Sequence, residues 1–150
     1  MATKYDGDPE ESRALDLQIK LFRARNALGN KLEQFWNDRD LTESQFATLE
    51  ALHHLGPLNH KEIAEKSLKR EANITHVVDN LERDGLVRRE RSEEDRRVVI
   101  VHLTDQGAEK ISQVFPEFVE YLTDLLDGFP AEKQERLAEL AKQLGVHLME

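Results

Sequence analysis

Residues 85–107 read GLVRRERSEEDRRVVIVHLTDQG, from Gly85 to Gly107. Two runs of β-branched or alternating residues, Leu86 to Arg91 and Arg97 to Leu103, flank the charged stretch Ser92-Glu93-Glu94-Asp95-Arg96, and this pattern predicts a β-hairpin. The tip holds no glycine, so its turn type stays open. Gly85 supplies the left-handed residue expected just past a helix end, and Thr104-Asp105-Gln106 supplies an N-cap for a following helix. The hairpin is therefore a β insertion between two helices.

Upstream, the segment Glu71 to Asp84 places Ile74, Val77, Val78 and Leu81 on one helical face. Before it, Asn59 with Glu62 three residues on opens a helix of about two turns with Ile63 and Ala64 inside, and a turn is expected near Ser67 and Leu68. Two helices joined by a tight turn make a helix-turn-helix. Thr42 and Gln45 form a capping box for another helix, which carries Phe46, Leu49, Leu52 and Leu55 inward and stops at Gly56-Pro57. Residues 12–38 carry one apolar stripe at Leu17, Leu21, Ala24, Leu28, Leu32 and Phe35 and a second at Leu15, Ile19 and Phe22, the mark of a long helix with more apolar surface than a small core needs. Downstream, a helix from Thr104 carries Ile111, Val114, Phe115, Phe118, Leu122, Leu125 and Leu126, with a kink expected at Pro116 and an end at Gly128-Phe129-Pro130. A last helix from about Ala131 to Leu148 presents Leu137, Leu140, Ala141 and Leu144. The fold class is mainly α with a small β-hairpin wing (α+β), a winged helix-turn-helix. The expected organisation is a single domain over 1–150, with the winged helix-turn-helix at 41–104, dimerisation helices at 12–40 and 105–148, and a flexible tail at 1–11.

Composition removes several functions. The 150 residues include no cysteine, which excludes disulfides, thiolate metal sites, cysteine nucleophiles and thiol-based sensing. Residues Met1 to Glu11 carry Asp6, Asp8, Glu10 and Glu11 and no apolar run, so no targeting peptide is expected there; the longest apolar run, Val98 to Val101, is far short of a membrane span. A cytoplasmic location without membrane contact is the expectation. His53 and His54 are adjacent and diverge by about 100° on a helix, and His60, His76, His102 and His147 form no ligand spacing, so neither a metal site nor a cofactor is expected. No phosphate loop or nucleophile motif suggests an enzyme.

The net charge of −9 would argue against a nucleic-acid partner if it were evenly spread. Residues 1–59 hold 7 basic and 10 acidic groups, residues 60–103 hold 10 and 10, and residues 104–150 hold 4 and 10. The acidity thus sits toward the ends, while cations cluster at Lys66, Lys69 and Arg70 and at Arg88, Arg89, Arg91, Arg96 and Arg97. The helix from Glu71 turns Asn73, Thr75, His76 and Asn80 outward, with Lys69 and Arg70 at its approach. Such a helix fits the major groove, where Asn pairs with adenine, Thr meets a hydroxyl-accepting edge or a thymine methyl, and Lys and Arg neutralise phosphate. At the hairpin, Arg91, Asp95, Arg96 and Arg97 form a second candidate contact.

Leu41 to Gln45, Ile63-Ala64, Ile74-Thr75, Val78 to Glu82, Gly85-Leu86-Val87, Asp95-Arg96-Arg97 and Leu103-Thr104-Asp105-Gln106-Gly107 together resemble the multiple-antibiotic-resistance regulator (MarR) family. The resemblance covers nearly the whole chain and is most specific in the hairpin block. It implies that Arg97 enters the minor groove and that Asp95 orients it. It also implies a homodimer, with Leu15, Ile19, Phe118, Leu122, Leu140 and Leu144 among the candidate contacts, bound to double-stranded DNA at a pseudo-palindromic operator. It implies a repressor released by a small aromatic or phenolic effector in a cleft, for which Arg25, Phe35, Trp36, Phe46, His53 and His54 are candidate lining residues. The stretches Phe46 to His54, Val77 to Leu81 and Ile111 to Pro116 are similar to the hydroquinone- and catechol-responsive subgroup, although sensing by thiol alkylation is impossible in this chain. The competing expectation is a winged-helix protein-interaction module whose acidic surface keeps DNA away, and Arg97→Ala discriminates the two.

Overall fold

The structure is a computed structural model that describes residues 4–67 and 71–149, the side chains of residues 71 and 72 excepted. The elements are α1 (Pro9–Asn37), α2 (Glu43–Leu55), β1 (Leu58–Asn59), α3 (His60–Ser67), α4 (Glu71–Arg83), β2 (Val87–Arg91), β3 (Val99–Leu103), α5 (Asp105–Leu125) and α6 (Ala131–Met149). The mainly helical winged helix-turn-helix order expected from the sequence is present.

Local chemistry explains the element ends. Thr42 and Gln45 cap α2 reciprocally at 3.0 and 3.1 Å, and Asn59 accepts the Glu62 amide at 2.8 Å to open α3. The same device starts α1. Asp8 accepts the Glu11 amide at 2.8 Å, the Glu11 carboxylate reaches back to the Asp8 amide at 3.3 Å, and Pro9 occupies the first turn, where no N–H is missed. The expected tail at 1–11 is thereby corrected: residues 9–11 belong to the helix and Asp8 caps it. Tyr5 adds a hydroxyl donated to Glu11 at 3.0 Å.

The sheet is three-stranded, not a bare hairpin, in the order β1-β3-β2 with all pairs antiparallel. β1 is only two residues long and pairs Leu58 with Val101 and Asn59 with Ile100. β3 begins at Val99 rather than Arg97, because Asp95 accepts the Arg97 amide at 3.0 Å and the Val98 amide at 2.9 Å and folds those residues into the turn. At the far end of the sheet, Thr104 donates its amide to Leu86 O (3.1 Å) and its hydroxyl to Gly85 O (2.6 Å), and accepts the Gly107 amide (3.0 Å). Gly107 is buried against the Leu86 carbonyl, where any β-carbon would overlap backbone. Gly85 takes φ +77°, the left-handed cap expected of it.

The chain divides into two compact units, Met1–Phe115 and Pro116–Glu150. The core of the first unit contains Leu49, Ile63, Ile74, Val78, Leu81, Val87, Val101 and Ile111 from α2 to α5. Val114 is the last buried residue along the described chain, which is why the core ends there. In the second unit α6 buries nothing, and Leu137 and Leu140 stay 54% and 52% exposed. Pro116 lies within a continuous α5. Among the described residues no helix is long and apolar enough to cross a membrane.

Candidate nucleic-acid interface

The reading face of α4 follows from its apolar period. Ile74, Val78 and Leu81 are fully buried, which leaves Asn73, Thr75 and His76 exposed and Asn80 half-buried. Asn80 and His76 approach to 3.4 Å one turn apart, and Thr75 Oγ1 lies 3.4 Å from His60 Nδ1 on α3. Both contacts are at the long limit for a hydrogen bond, so Asn80, His76 and Thr75 can exchange them for another partner. Lys69 and Arg70 lie outside the described residues.

At the wing tip Asp95 holds Arg97 in a fork: Arg97 donates Nε to Asp95 Oδ1 at 3.1 Å and an Nη to Oδ2 at 3.2 Å. The Arg97 side chain is nevertheless 91% exposed. Hydrogen bonds from the Arg97 side chain and then its backbone hold the Asp95 carboxyl below the ordinary carboxylate range. Arg91 donates to the Arg96 carbonyl at 2.9 Å and so braces the turn, and both arginines are exposed. On the sheet, Glu90 meets Arg88 at 3.0 Å and His102 at 3.3 Å. The Glu90 carboxyl is lowered first by the Arg88 hydrogen bond, then by the charges of Arg88 and His102.

One contact between the wing and α4 was not anticipated from the sequence, which placed Arg89 only in a cation cluster. Arg89 on β2 donates its amide to Glu82 (3.1 Å) and its guanidinium to Glu82 (3.0 Å), Asp79 (2.5 Å) and the Thr75 carbonyl (3.3 Å), all on α4. The available signal was strand parity: Arg89 shares a strand face with the buried Val87, whereas Arg88 and Glu90 alternate outward.

The six candidate effector residues do not gather around one cavity. Arg25 and Trp36 line a groove of about 410 Å³ with Leu28, Leu32, Leu41 and Thr42. Phe35 and Phe46 are instead core residues: both are buried, Arg39 lies 3.6 Å over the Phe35 ring, and Phe46 packs 5.8 Å from Trp36. His53 and His54 sit in the last turn of α2, about 15 Å along the helix from the groove. There His54 Nδ1 meets the Glu50 carboxylate at 3.0 Å and the ring packs on Phe115 at 4.7 Å. Among the described residues no group of three acidic or histidine side chains is placed to hold a metal.

Residues 41–99 match the MarR family, the segment that contains α2 to the start of β3. The HTH-type transcriptional regulator YkoM of Bacillus subtilis is 30% identical over 93% of this chain and 91% of that protein. The chain belongs to the MarR family. MhqR, another HTH-type transcriptional regulator of Bacillus subtilis, is also 30% identical, over 90% of this chain and 93% of its own length. A solved structure of reduced AbfR bound to DNA superposes with a TM-score of 0.76 at 25% identity, covering 94% of this chain and 97% of that one. As a MarR-family protein the chain is a DNA-binding transcriptional regulator, not an enzyme.

Proposed function

We propose that two copies of this chain read a pseudo-palindromic operator and repress transcription until a small aromatic or phenolic effector binds. Asn73, Thr75, His76 and Asn80 of α4 contact base edges in the major groove, Lys69 and Arg70 contact phosphate at its approach, and Arg97 enters the minor groove with Arg96 and Arg91 beside it. The observation that carries this reading is the Asp95 fork, which fixes the direction of a guanidinium that is 91% exposed. An arginine so exposed serves no packing purpose. It is preorganised for an anionic or narrow electronegative partner.

The homodimer is supported by apolar surface that the protomer leaves in water: on α1, Leu17 and Phe22 are 53% and 57% exposed, and α6 adds Leu137 and Leu140. Two-fold pairing sets two reading heads about one helical turn of DNA apart. For the effector, Arg25 and Trp36 in the groove along α1 offer a cation and an aromatic face, suited to a phenolic acid or a similar ring. The likeness of Phe46 to His54, Val77 to Leu81 and Ile111 to Pro116 to hydroquinone- and catechol-responsive regulators belongs to the same reading. The cytoplasm, in contact with the operator, is the site of action that this reading requires.

Titration of the protein against a duplex from its own upstream region and a scrambled duplex, at several salt concentrations, tests this. Selective, salt-sensitive binding of two subunits per site is expected. Binding to neither duplex would favour the protein-interaction module.

A further inference from the structure

We propose that Arg89 is a positioning residue for DNA reading: it locks α4 to the wing so that helix and hairpin meet the two grooves as one rigid unit, without touching DNA itself. The proposal rests on the reading of α4 and the wing as the DNA contacts. Its basis is the hydrogen-bond pattern. One guanidinium, only 22% exposed, engages Asp79, Glu82 and the Thr75 carbonyl, which lie at successive turns along one stripe of α4. The Arg89 backbone amide adds a further bond to Glu82, so the strand and the side chain hold the same helix. Thr75 is itself one of the outward reading residues, and Asp79 precedes Asn80, so the stripe that Arg89 grips borders the reading face.

The chemistry demands an arginine. A planar fork can serve two carboxylates and a carbonyl at once, whereas a lysine ammonium is a point charge that cannot span three acceptors at their separate heights on a helix. The clamp also pairs two carboxylates that would otherwise repel phosphate beside the reading face. Arg88, one residue earlier, has its partner Glu90 on its own strand and makes no such link, which makes it the matched control.

Two measurements decide the proposal. In the DNA-free dimer, Arg89→Ala should raise hydrogen exchange at α4 amides from Thr75 onward, with Arg88→Ala unchanged and Arg89→Lys intermediate. Against DNA, Arg89→Ala should lower operator affinity on the order of tenfold while leaving affinity for the scrambled duplex and the salt slope unaltered. A fall of about 0.9 in that slope with equal loss on both duplexes would make Arg89 a phosphate contact and overturn the proposal. So would unchanged exchange in α4. Should the parent protein not discriminate operator from scrambled DNA, the α4 and wing assignment fails, and the exchange measurement still decides whether Arg89 couples the two elements.

Discussion

Replacing Gly107 with alanine should destabilise the fold by about 2–4 kcal/mol, although the change adds a good helix former to a helix. The added β-carbon would overlap the carbonyl oxygen and carbon of Leu86, which are backbone and cannot swing aside, and it would press on the Leu103 side chain. The start of α5 would have to withdraw from the Gly85–Leu86 turn. That withdrawal strains two bonds, Thr104 N–H to Leu86 O and Thr104 O–H to Gly85 O, each of which is worth about 1 kcal/mol. Overpacking against fixed backbone adds about 1–3 kcal/mol, and the improved helix propensity returns at most about 1 kcal/mol. Gly145→Ala is the control, since nothing lies within 4 Å of the corresponding β-carbon in the protomer and only the propensity gain remains. Urea denaturation at fixed protein concentration should lower the midpoint for Gly107→Ala and raise it slightly for Gly145→Ala, with m unchanged. A midpoint for Gly107→Ala equal to or above the parent's would refute the close-approach argument.

Other consequences are equally direct. Arg97→Ala should cost about 1–3 kcal/mol of operator affinity with an unchanged melting temperature, because the side chain is 91% exposed; fluorescence anisotropy and calorimetry read the two effects separately. The lowered carboxyl of Asp95 means that its contribution is complete above the unfolded value and vanishes only as pH falls through the still lower folded value. The wing fork should therefore hold through neutral and mildly acidic pH, and a carbon-13 titration of Asp95 should show a midpoint below that of an unpaired aspartate, moving up in Arg97→Ala. Asp8→Ala should loosen the first turn of α1 by about 1 kcal/mol, visible as faster hydrogen exchange at Glu11 and Ser12.

Periodic and capping signals carried well from sequence to structure because they are local. Ile74, Val78 and Leu81 went inside as their spacing required, Thr42 and Gln45 formed the box their order implied, and Asn59 caps the Glu62 amide while its side-chain amide donates to the Glu62 carboxylate. The Asp8 to Glu11 box follows the same rule and was hidden by the acidic composition around it, which reads as a solvated tail. Leu55, expected inward, is 52% exposed because α2 ends there and its last turn leaves the core. β1 was out of reach: two residues show no alternation, and their pairing with β3 is set by a partner some 40 positions away in sequence. Phe35 and Phe46 could have faced a cleft or the core, and only the packing of α1 on α2 decides between them.

The placement of charge also explains how a chain of net charge −9 can meet a polyanion. What DNA experiences within a Debye length of about 8 Å is the local field and not the total. In the stretch from α4 through the wing, Asp79 and Glu82 are paired with Arg89, Asp84 with Arg83, Glu90 with Arg88 and Asp95 with Arg97. Each paired carboxylate presents a dipole whose field decays faster than that of a bare charge. Along α4 the carboxylates are the more exposed ends, Asp79 and Glu82 at 56% and 43% against 22% for Arg89, so the guanidinium neutralises from beneath the acid that borders the reading face. Arg97 has the opposite arrangement: its carboxylate is the more buried partner and its guanidinium projects outward. The same kind of ion pair thus does two jobs, neutralising exposed acid along the reading helix and displaying base at the wing tip.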